Sequence, residues 1–260
     1  MSSMAIALES RLRACRNVIT LGVRTNFSDY PPEAAEMIRN AETVYYPTPF
    51  YADLFDSVGK RTFPSYHTYK CVQDKIKQTA LFDILEIPHP RTRVYYGRRW
   101  PERVTEIFSY PFIAKIPRGS AMGRGVFLIR GPEDLAAYRE KSPGVAYIQE
   151  YLPIDRDIRV VVIGRRVVHA YWRIAAPGEF RSNVSVGGTI CLDRVPEAAV
   201  NLARTAARAC RWDDVGVDIC RHGGDYYVLE ANMKYGREGF RAAGLDYTTI
   251  MERMISDGEI

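Results

Sequence analysis

Cysteine is scarce in this sequence, with five among 260 residues. The five are odd in number and widely scattered, and none has a neighbour at the spacing of a zinc site or a redox pair. A zinc site or a disulfide framework is therefore not expected, and reduced thiols in a packed interior fit best. The positions are Cys15, Cys71, Cys191, Cys210 and Cys220.

Long apolar runs and lysine-rich tracts are also missing. No stretch approaches the length of a membrane span, and residues 1–16 carry charges without a following apolar segment like that of a signal peptide. The 36 basic residues include only seven lysines, so 29 are arginines, and these are spread along the chain without a recognised nucleic-acid motif. We therefore expect a cytoplasmic protein without a membrane or nucleic-acid partner. Because the arginine side chain makes forked contacts with phosphate and carboxylate groups, the arginine content favours an anionic small molecule as the ligand.

What is present is typical of a soluble globular protein, with 47% hydrophobic and 26% charged residues. We predict a short α/β N-terminal lobe over residues 1–68 and two α+β lobes over residues 69–149 and 150–260. In the first lobe, strands at 17–23 and 42–46 flank a helix at 31–40, which makes one small β-α-β unit. A lobe of about 65 residues buries only about 60% of its unfolded surface, so it should pack on the rest of the chain or on a partner chain.

The remaining elements follow from hydrophobic periodicity and turn residues. Apolar residues at helical spacing predict a helix over residues 70–87, which stops ahead of two prolines. The rest of the second lobe is predicted to contain strands at 92–96, 111–116, 125–129 and 146–150 and a helix at 132–141. The third lobe is predicted to contain a hairpin of 157–163 with 167–172, helices at 195–210 and 247–255, and a second hairpin between them. A cleft between lobes is where a ligand normally binds.

That second hairpin predicts a metal site. Because alternate residues of a strand share a face, Glu230 and Asn232 point the same way, and an antiparallel neighbour can present Asp218 beside them. Two carboxylates and an amide, without His or Cys, favour Mg²⁺ or Mn²⁺ whose coordination is completed by water and nucleotide phosphates. Taken alone, the triplet also fits a solvated hairpin edge with two acids.

A glycine-rich segment follows a strand that ends at Lys115. Residues 117–125, Pro-Arg-Gly-Ser-Ala-Met-Gly-Arg-Gly, lead directly into another strand. Glycines let the backbone turn its N–H groups toward phosphate oxygens, and Lys115 offers a positive charge. The pattern is neither a Walker motif nor a Rossmann fingerprint, because no helix follows the glycines. It predicts a flexible lid over phosphates, and the alternative is a glycine-rich hairpin loop with a snorkelling lysine.

Two further features point to the same region. Lys75, near the start of the predicted helix, adds a second positive charge unless it is an ordinary surface lysine. Residues 149–152 lie at the junction of the lobes, where a strand can present its backbone to the edge of adenine. An acidic side chain such as Asp157 can then accept a hydrogen bond from a ribose hydroxyl or the adenine amine. Read alone, the junction is an interdomain linker.

Taken together, the chain resembles the ATP-grasp superfamily, and within it the RimK-type carboxylate–amine ligases, which include glutathione-synthetase-like enzymes. The likeness covers about residue 70 to the C-terminus and rests on the order and spacing of its motifs. These are Asp74-Lys75, Lys115 with its glycine loop, Gln149-Glu150-Tyr151, Asp157-Ile158-Arg159, Arg173, Phe180-Arg181-Ser182-Asn183 with Gly187-Gly188, Gly216-Val217-Asp218 and Glu230-Ala231-Asn232. The resemblance implies an α+β ATP-grasp fold in which two lobes grip ATP.

The resemblance also implies residue roles and a reaction. The metal ligands would be Asp218, Glu230 and Asn232, holding two Mg²⁺ or Mn²⁺ ions. The residues that bind ATP would be Lys75, Lys115, Gln149, Glu150, Tyr151, Asp157, Arg181, Ser182 and Asn183. The catalytic candidates are Lys115, Arg159, Arg173 and Asn183, with Arg159 or Arg173 holding an acyl phosphate. The implied enzyme joins an acid, such as glutamate or another amino acid or peptide, to an amine and releases ADP and phosphate.

The sequence departs from the family pattern in two places. Residues 233–240 keep the glycines but insert bulk and charge, including Lys234 and Arg237, where such ligases commonly carry small residues with Pro and Gly. The N-terminal lobe is also shorter than usual, so its substrate contacts are either missing or supplied by another subunit of a homo-oligomer. The alternatives are a phosphotransferase on the same scaffold and a nucleotide-binding or nucleic-acid-binding protein without turnover.

Overall fold

The computed structural model describes residues 4–97, 99–119 and 125–260. The centre of the glycine-rich segment, residues 120–124, therefore lies outside the described residues. Within the described ranges the chain forms three β-sheets with helices packed against them, which confirms the prediction of a mixed α+β architecture. No helix in this part of the chain is both long and apolar enough to cross a membrane.

The N-terminal lobe contains a small parallel sheet. Its elements are β1 (Ala5–Ala7), β2 (Val18–Thr20), α1 (Pro32–Asn40), β3 (Thr43–Tyr45), α2 (Thr48–Ser57) and β4 (Arg61–Phe63). The strand order is β2-β1-β3-β4, and all pairs are parallel. The predicted β-α-β unit is thus present, but β1, α2 and β4 extend it. The predicted strands 17–23 and 42–46 correspond to β2 and β3, whereas β1 and β4 were not predicted.

Two helices lead into the second sheet. They are α3 (Tyr66–Val72) and α4 (Lys75–Ile84). The prediction of one continuous helix over residues 70–87 is wrong, because the helix is interrupted between Val72 and Lys75. The Asp74 carboxylate accepts hydrogen bonds from two backbone N–H groups in the first turn of α4, at 3.0 and 3.2 Å. This N-cap starts a new helix and makes Lys75 its first residue.

The second sheet is antiparallel and carries the start of the glycine-rich segment. Its elements are β5 (Thr92–Tyr96), α5 (Trp100–Val104), β6 (Phe112–Lys115), β7 (Val126–Ile129), α6 (Pro132–Lys141) and β8 (Val145–Glu150). The strand order is β5-β8-β6-β7. Its four strands match the predicted ones to within two residues at each end, and α5 is an additional short helix.

The third sheet is the largest. Its elements are β9 (Arg156–Ile163), β10 (Arg166–Ile174), β11 (Thr189–Cys191), α7 (Glu197–Ala209), β12 (Asp214–His222), β13 (Asp225–Asn232), α8 (Glu238–Ala242) and α9 (Tyr247–Ser256). All strands are antiparallel in the order β11-β10-β9-β12-β13. The predicted hairpins and the two long helices are confirmed, whereas β11 and α8 are additional.

The central strands of this sheet are buried on both faces. Side chains of β9 that point to one face, such as Val160, pack with α4 and α7, and those that point to the other, such as Val161, pack with the N-terminal lobe and α9. Burial on both faces explains the unbroken apolar run 160–163. The short N-terminal lobe thus packs on the rest of the chain, as its size predicts. The lobe boundaries 1–68, 69–149 and 150–260 stay predictions.

Candidate active site

A cleft of about 730 Å³, part of it open to solvent, lies between the second and third sheets. Strands β6 and β8 contribute one wall, and β9, β10, β12 and β13 contribute the other. The predicted site residues that line it are Lys115, Gln149, Glu150, Tyr151, Asp157, Arg173, Arg181, Ser182, Asn183, Asp218 and Glu230. Lys75 and Asn232 line a neighbouring cavity that shares Glu230 with the cleft, and Arg159 lines neither.

The hairpin of β12 and β13 has the register that alternation predicts. Asp218 lies directly opposite Glu230, and Gly216 lies opposite Asn232. The Asn232 amide donates a hydrogen bond to Glu230 Oε1 at 2.8 Å, and Lys75 Nζ lies 3.8 Å from Glu230 Oε2. The three oxygen-bearing side chains therefore meet on one face of the hairpin.

A buried glutamine supports the edge of this hairpin, and sequence reasoning missed it. Gln78 of α4 donates to the Ala231 carbonyl at 2.9 Å and accepts from the Ala231 N–H at 2.9 Å. Since Ala231 lies between Glu230 and Asn232, this double hydrogen bond fixes the backbone that carries both. The sequence did contain a signal for it, since Gln78 is a polar residue among the apolar positions of a predicted helix. A polar side chain buried there requires hydrogen-bond partners.

Asp218 lies in a buried network of alternating charges. Arg159, opposite Asp218 in the sheet, donates to it from Nε and Nη2 at 2.8 Å each, and Arg173 Nη2 lies 2.9 Å away. Arg173, opposite Asp157, donates to that carboxylate at 2.7 and 2.5 Å, and Ser182 Oγ donates to it at 2.5 Å. Two arginines and two aspartates thus neutralise one another. The available signal was a pair of charged residues two positions apart, Asp157 and Arg159, near the start of β9, a strand that is otherwise largely apolar.

The pKa shifts in this network follow from burial opposed by charge pairing. Burial acts to raise the pKa of Asp218, but the two neighbouring guanidinium groups outweigh it and lower that pKa below its ordinary value. Burial and the charge of Arg173 act to lower the pKa of Arg159, and Asp218 reverses this and raises it. Asp157 and Asp218 likewise raise the pKa of Arg173 against burial. Asp218, Arg159 and Arg173 therefore stay ionised.

The donor atoms fit a hard divalent cation. An ionised carboxylate offers about four lone pairs, and Asp218 uses three of them for its arginine partners, so one remains. Glu230, whose side chain is 23% exposed, and the Asn232 amide oxygen add further oxygen donors. Among the described residues no cluster of three or more His, Cys, Asp or Glu side chains could hold a metal, so the site depends on the amide as well. Mg²⁺ and Mn²⁺ accept such ligands.

Lys115, the last residue of β6, places a buried cation in the cleft. The residue is 6% exposed, and its Nζ lies 5.8 Å from the centre of the Tyr147 ring. Burial lowers the pKa of Lys115, and Glu230 acts in the opposite direction. In residues 4–97, 99–119 and 125–260, its ammonium has no hydrogen-bond or ion-pair partner. A buried, partnerless cation of this kind gains from an anionic ligand.

The described start of the glycine-rich segment is tied to α4. Arg118 Nε donates to the Asp74 carboxylate at 2.7 Å, and the Lys75 N–H donates to the Pro117 carbonyl at 3.1 Å. Asp74 therefore both caps the helix and anchors the segment, which brings Lys75 to the same side as Lys115. The predicted lid over phosphates falls largely on residues 120–124 and stays a prediction.

Part of the cleft lining is apolar. Ile113 and Val126 from the second sheet, and Leu229 from the third, line it beside the 149–152 junction. Glu150 accepts a hydrogen bond from the Arg91 N–H at 2.5 Å, so its carboxylate braces the junction. Sequence reasoning named the junction but not these apolar residues, because each occurs in an ordinary strand pattern.

The segment 181–183 closes the cleft from the side of β10. The Arg181 guanidinium donates to Glu179 at 3.0 and 2.6 Å, and its Cζ lies 5.3 Å from the centre of the Phe180 ring. Asn183 precedes a one-turn helix whose end is the left-handed Gly187. The segment therefore brings three charged or polar side chains, Arg181, Ser182 and Asn183, to the cleft.

Comparison with known proteins gives the family. The family model described as a RimK-like ATP-grasp domain matches residues 72–255. A protein named "Probable alpha-L-glutamate ligase 2" from Pseudoalteromonas atlantica is 32% identical over 193 residues, covering 70% of this chain and 63% of that protein. A "Ribosomal protein bS6--L-glutamate ligase" from Escherichia fergusonii is 30% identical over 193 residues, with the same two coverages of 70% and 63%. The chain thus spans just under two thirds of the length of either relative.

A solved structure shows the same fold. The ATP-grasp ligase PsnB, in complex with a phosphomimetic variant of its minimal precursor, Mg and ADP, has a TM-score of 0.72 at 18% identity, with 99% of each chain covered. The predicted ATP-grasp fold is thereby confirmed. With most of its length matched by the family model, the chain belongs to the RimK-like ATP-grasp family.

Proposed function

We propose that this protein is an ATP-dependent carboxylate–amine ligase that forms an amide bond through an acyl phosphate and releases ADP and phosphate. The observation that carries the proposal is one cleft in which the buried Lys115, whose ammonium has no hydrogen-bond or ion-pair partner among the described residues, lies beside a hairpin of oxygen-bearing side chains. Membership of the family, and the names of the two relatives, both glutamate ligases, support this reaction class.

ATP fits the polarity of the cleft. The apolar side chains of Ile113, Val126 and Leu229 would hold adenine between the two sheets, while the backbone of residues 149–151 would meet its edge. Asp157 retains one of its lone pairs for a ribose hydroxyl, because Arg173 and Ser182 use three.

The phosphates would then lie toward Lys115 and Lys75. In the first step, a substrate carboxylate oxygen bonds to the γ-phosphorus as the bond to the ADP oxygen breaks. In the second, the amine nitrogen adds to the acyl carbon and loses a proton, and the carbon–oxygen bond to phosphate breaks. Lys115 acts by alignment and charge neutralisation, so no covalent enzyme intermediate is needed.

Asp218, Glu230 and Asn232 would hold a pair of Mg²⁺ ions. Bound Mg²⁺ supplies neutralisation of the charge on the phosphate oxygens. Arg159 and Arg173 orient the Asp218 carboxylate, and of these two only Arg173 reaches the cleft. Arg173 is therefore the better candidate for contact with the acyl phosphate, together with Asn183.

The neighbouring cavity is the proposed place of the acid and the amine. It has a volume of about 720 Å³ and meets the nucleotide cleft at Glu230. Lys75, Gln73 and Lys234 line it, so two cations and an amide face the incoming substrate. We therefore favour an anionic amino acid or peptide such as glutamate as the acid.

The test is ADP release from the purified chain with ATP and magnesium, screened over amino acids and dipeptides in pairs. Addition of hydroxylamine should trap the acyl phosphate as a hydroxamate of the acid. The Glu230→Gln variant should lose both products, whereas the exposed Lys141→Met variant should retain them. ADP release with a phosphorylated alcohol and no hydroxamate would instead indicate a phosphotransferase, and no ADP release with any pair would refute turnover.

A further inference from the structure

A buried cluster outside the nucleotide cleft is centred on Arg11, in a one-turn helix after β1. Its guanidinium lies 5.2 Å from the ring centre of Tyr46, 4.9 Å from that of Tyr235 and 5.6 Å from that of Tyr247. Arg11 Nη2 is 3.7 Å from the carboxylate of Asp214, which is 0% exposed. The arginine thus lies in a cage of three aromatic rings with one buried counter-charge.

Asp214, the first residue of β12, organises this cage. It accepts hydrogen bonds from the hydroxyl of Tyr235 at 2.7 Å and from that of Tyr46 at 3.0 Å. Burial raises the pKa of Asp214, while Arg11 and the two hydroxyls act to lower it. Because Arg11 and Tyr46 come from the N-terminal lobe, the cluster joins that lobe to the sheet that carries the metal hairpin.

The same cluster fixes the backbone that follows the hairpin. Arg11 Nη1 donates to the Met233 carbonyl at 3.2 Å, and Arg237 Nη2 donates to the Arg11 carbonyl at 3.1 Å. Between them, the Tyr235 carbonyl accepts from Arg159 Nη1 at 3.0 Å, and Arg159 also holds Asp218. The segment 233–237 is therefore tied at three points to buried or half-buried arginines from two lobes.

Each nitrogen of the Arg11 guanidinium has a different partner. Nε donates to the Tyr247 hydroxyl at 3.1 Å, Nη1 to Met233 and Nη2 faces Asp214. A lysine could keep the charge pair with Asp214, but a single ammonium on a flexible stem cannot reproduce this fork. The geometry therefore requires arginine for more than its charge.

We propose that Arg11 is a positioning residue for the substrate side of the site. Its fork holds segment 233–237 so that Asn232 and Lys234 keep their places on the wall of the second cavity. This inference rests on the proposed function and extends it, because it gives the short N-terminal lobe a defined part in the reaction. The bulky and charged residues after Asn232, such as Met233 and Arg237, are then the ones through which the N-terminal lobe contacts the site.

The test uses Arg11→Lys, with the nearby exposed Arg13→Lys as the matched control. In Arg11→Lys we expect faster amide hydrogen exchange in segment 233–237 and a fall of about 100-fold in kcat/KM for the acid substrate, whereas the Kd for a non-hydrolysable ATP analogue with Mg²⁺ should change less than about twofold. Arg13→Lys should match the wild type in all three measurements.

A second variant separates positioning from folding. Arg11→Met with Asp214→Asn removes both charges, so no buried carboxylate is left without a partner. It should show the same faster exchange in 233–237 while its circular dichroism stays that of the wild type. Unchanged exchange in both variants, or a loss of nucleotide affinity as large as the loss in kcat/KM, would overturn the proposal. If the wild type released no ADP with any substrate pair, the proposed function would fail, and hydrogen exchange would still decide the role of Arg11.

Discussion

Replacement of Lys115 by methionine should change stability and nucleotide binding in opposite directions. The ammonium is buried, and its pKa is lowered chiefly by that burial, so the charged form destabilises the folded protein when no ligand is bound. Methionine keeps a flexible stem of similar length beside Tyr147 without the charge. Replacement of buried charges by apolar side chains is neutral or stabilising by up to about 1–4 kcal/mol, and for a chain of this size each kcal/mol raises Tm by about 2–4 °C.

The sign of the pH dependence gives a second measurement. Because the folded-state pKa of Lys115 lies below its ordinary value of 10.5, the unfolded chain binds the extra proton more tightly. Wild-type stability should therefore rise as pH increases through the window between the lowered pKa and 10.5. The Lys115→Met variant should lack this contribution.

Nucleotide binding should weaken in the same variant. A hydrogen bond to a charged group contributes about 1.5–3 kcal/mol, which corresponds to a rise of about 10-fold to 150-fold in Kd. Calorimetry with ATP and magnesium measures Kd, and thermal unfolding without nucleotide measures stability. The control is Lys141→Met, which makes the same substitution at an exposed lysine at the end of helix α6. A Lys115→Met protein that melts several degrees lower than the wild type and binds ATP equally well would refute the reasoning.

Three further predictions follow from the same geometry. Glu230→Gln should weaken ATP binding in the presence of magnesium much more than in its absence, by calorimetry, and equal weakening in both conditions would exclude a metal role. Asp218→Asn leaves two buried guanidinium groups with one carboxylate and should cost about 3–5 kcal/mol in urea unfolding. Since the pKa of Asp218 is lowered, its contribution in the wild type should be present above the ordinary value of 3.8 and be lost as pH falls below it. Gly216→Ala should cost about 1–3 kcal/mol, because its new Cβ would lie 2.5 Å from Tyr235 Cβ, and an unchanged Tm would contradict this.

The sequence predicted the hairpin of β12 and β13 and its register because strand periodicity is a local rule. Alternation places Glu230 and Asn232 on one face, and antiparallel pairing then brings Asp218 opposite. The strands of the second and third sheets, except β11, were predicted for the same reason. The break between α3 and α4 was missed, since the apolar spacing continues across Asp74 and only the side-chain cap reveals a new helix.

Contacts between distant strands could not be predicted in this way. The pairing of Arg159 with Asp218 depends on β12 lying beside β9, although 59 residues separate the two side chains in the sequence. The cage around Arg11 likewise requires the N-terminal lobe to pack on the third sheet. The sequence shows which residues carry charge, but the choice of partner follows from topology.

That distinction changes the meaning of the arginine excess. Sequence analysis interpreted the arginines as a preference for anionic ligands, yet Arg159 and Arg173 are committed to Asp157 and Asp218 in a neutral buried network. The two arginines orient Asp218, the proposed metal ligand, and the network as a whole adds little net charge that could attract a nucleotide. Under the proposed function, the attraction of phosphate would therefore depend mainly on Lys115, with help from Lys75, although lysine is the rarer cation in this sequence. Loss of either arginine should consequently reduce stability first and nucleotide affinity only through the displaced carboxylate. Loss of Lys115 should reduce nucleotide affinity and leave stability unchanged or increased.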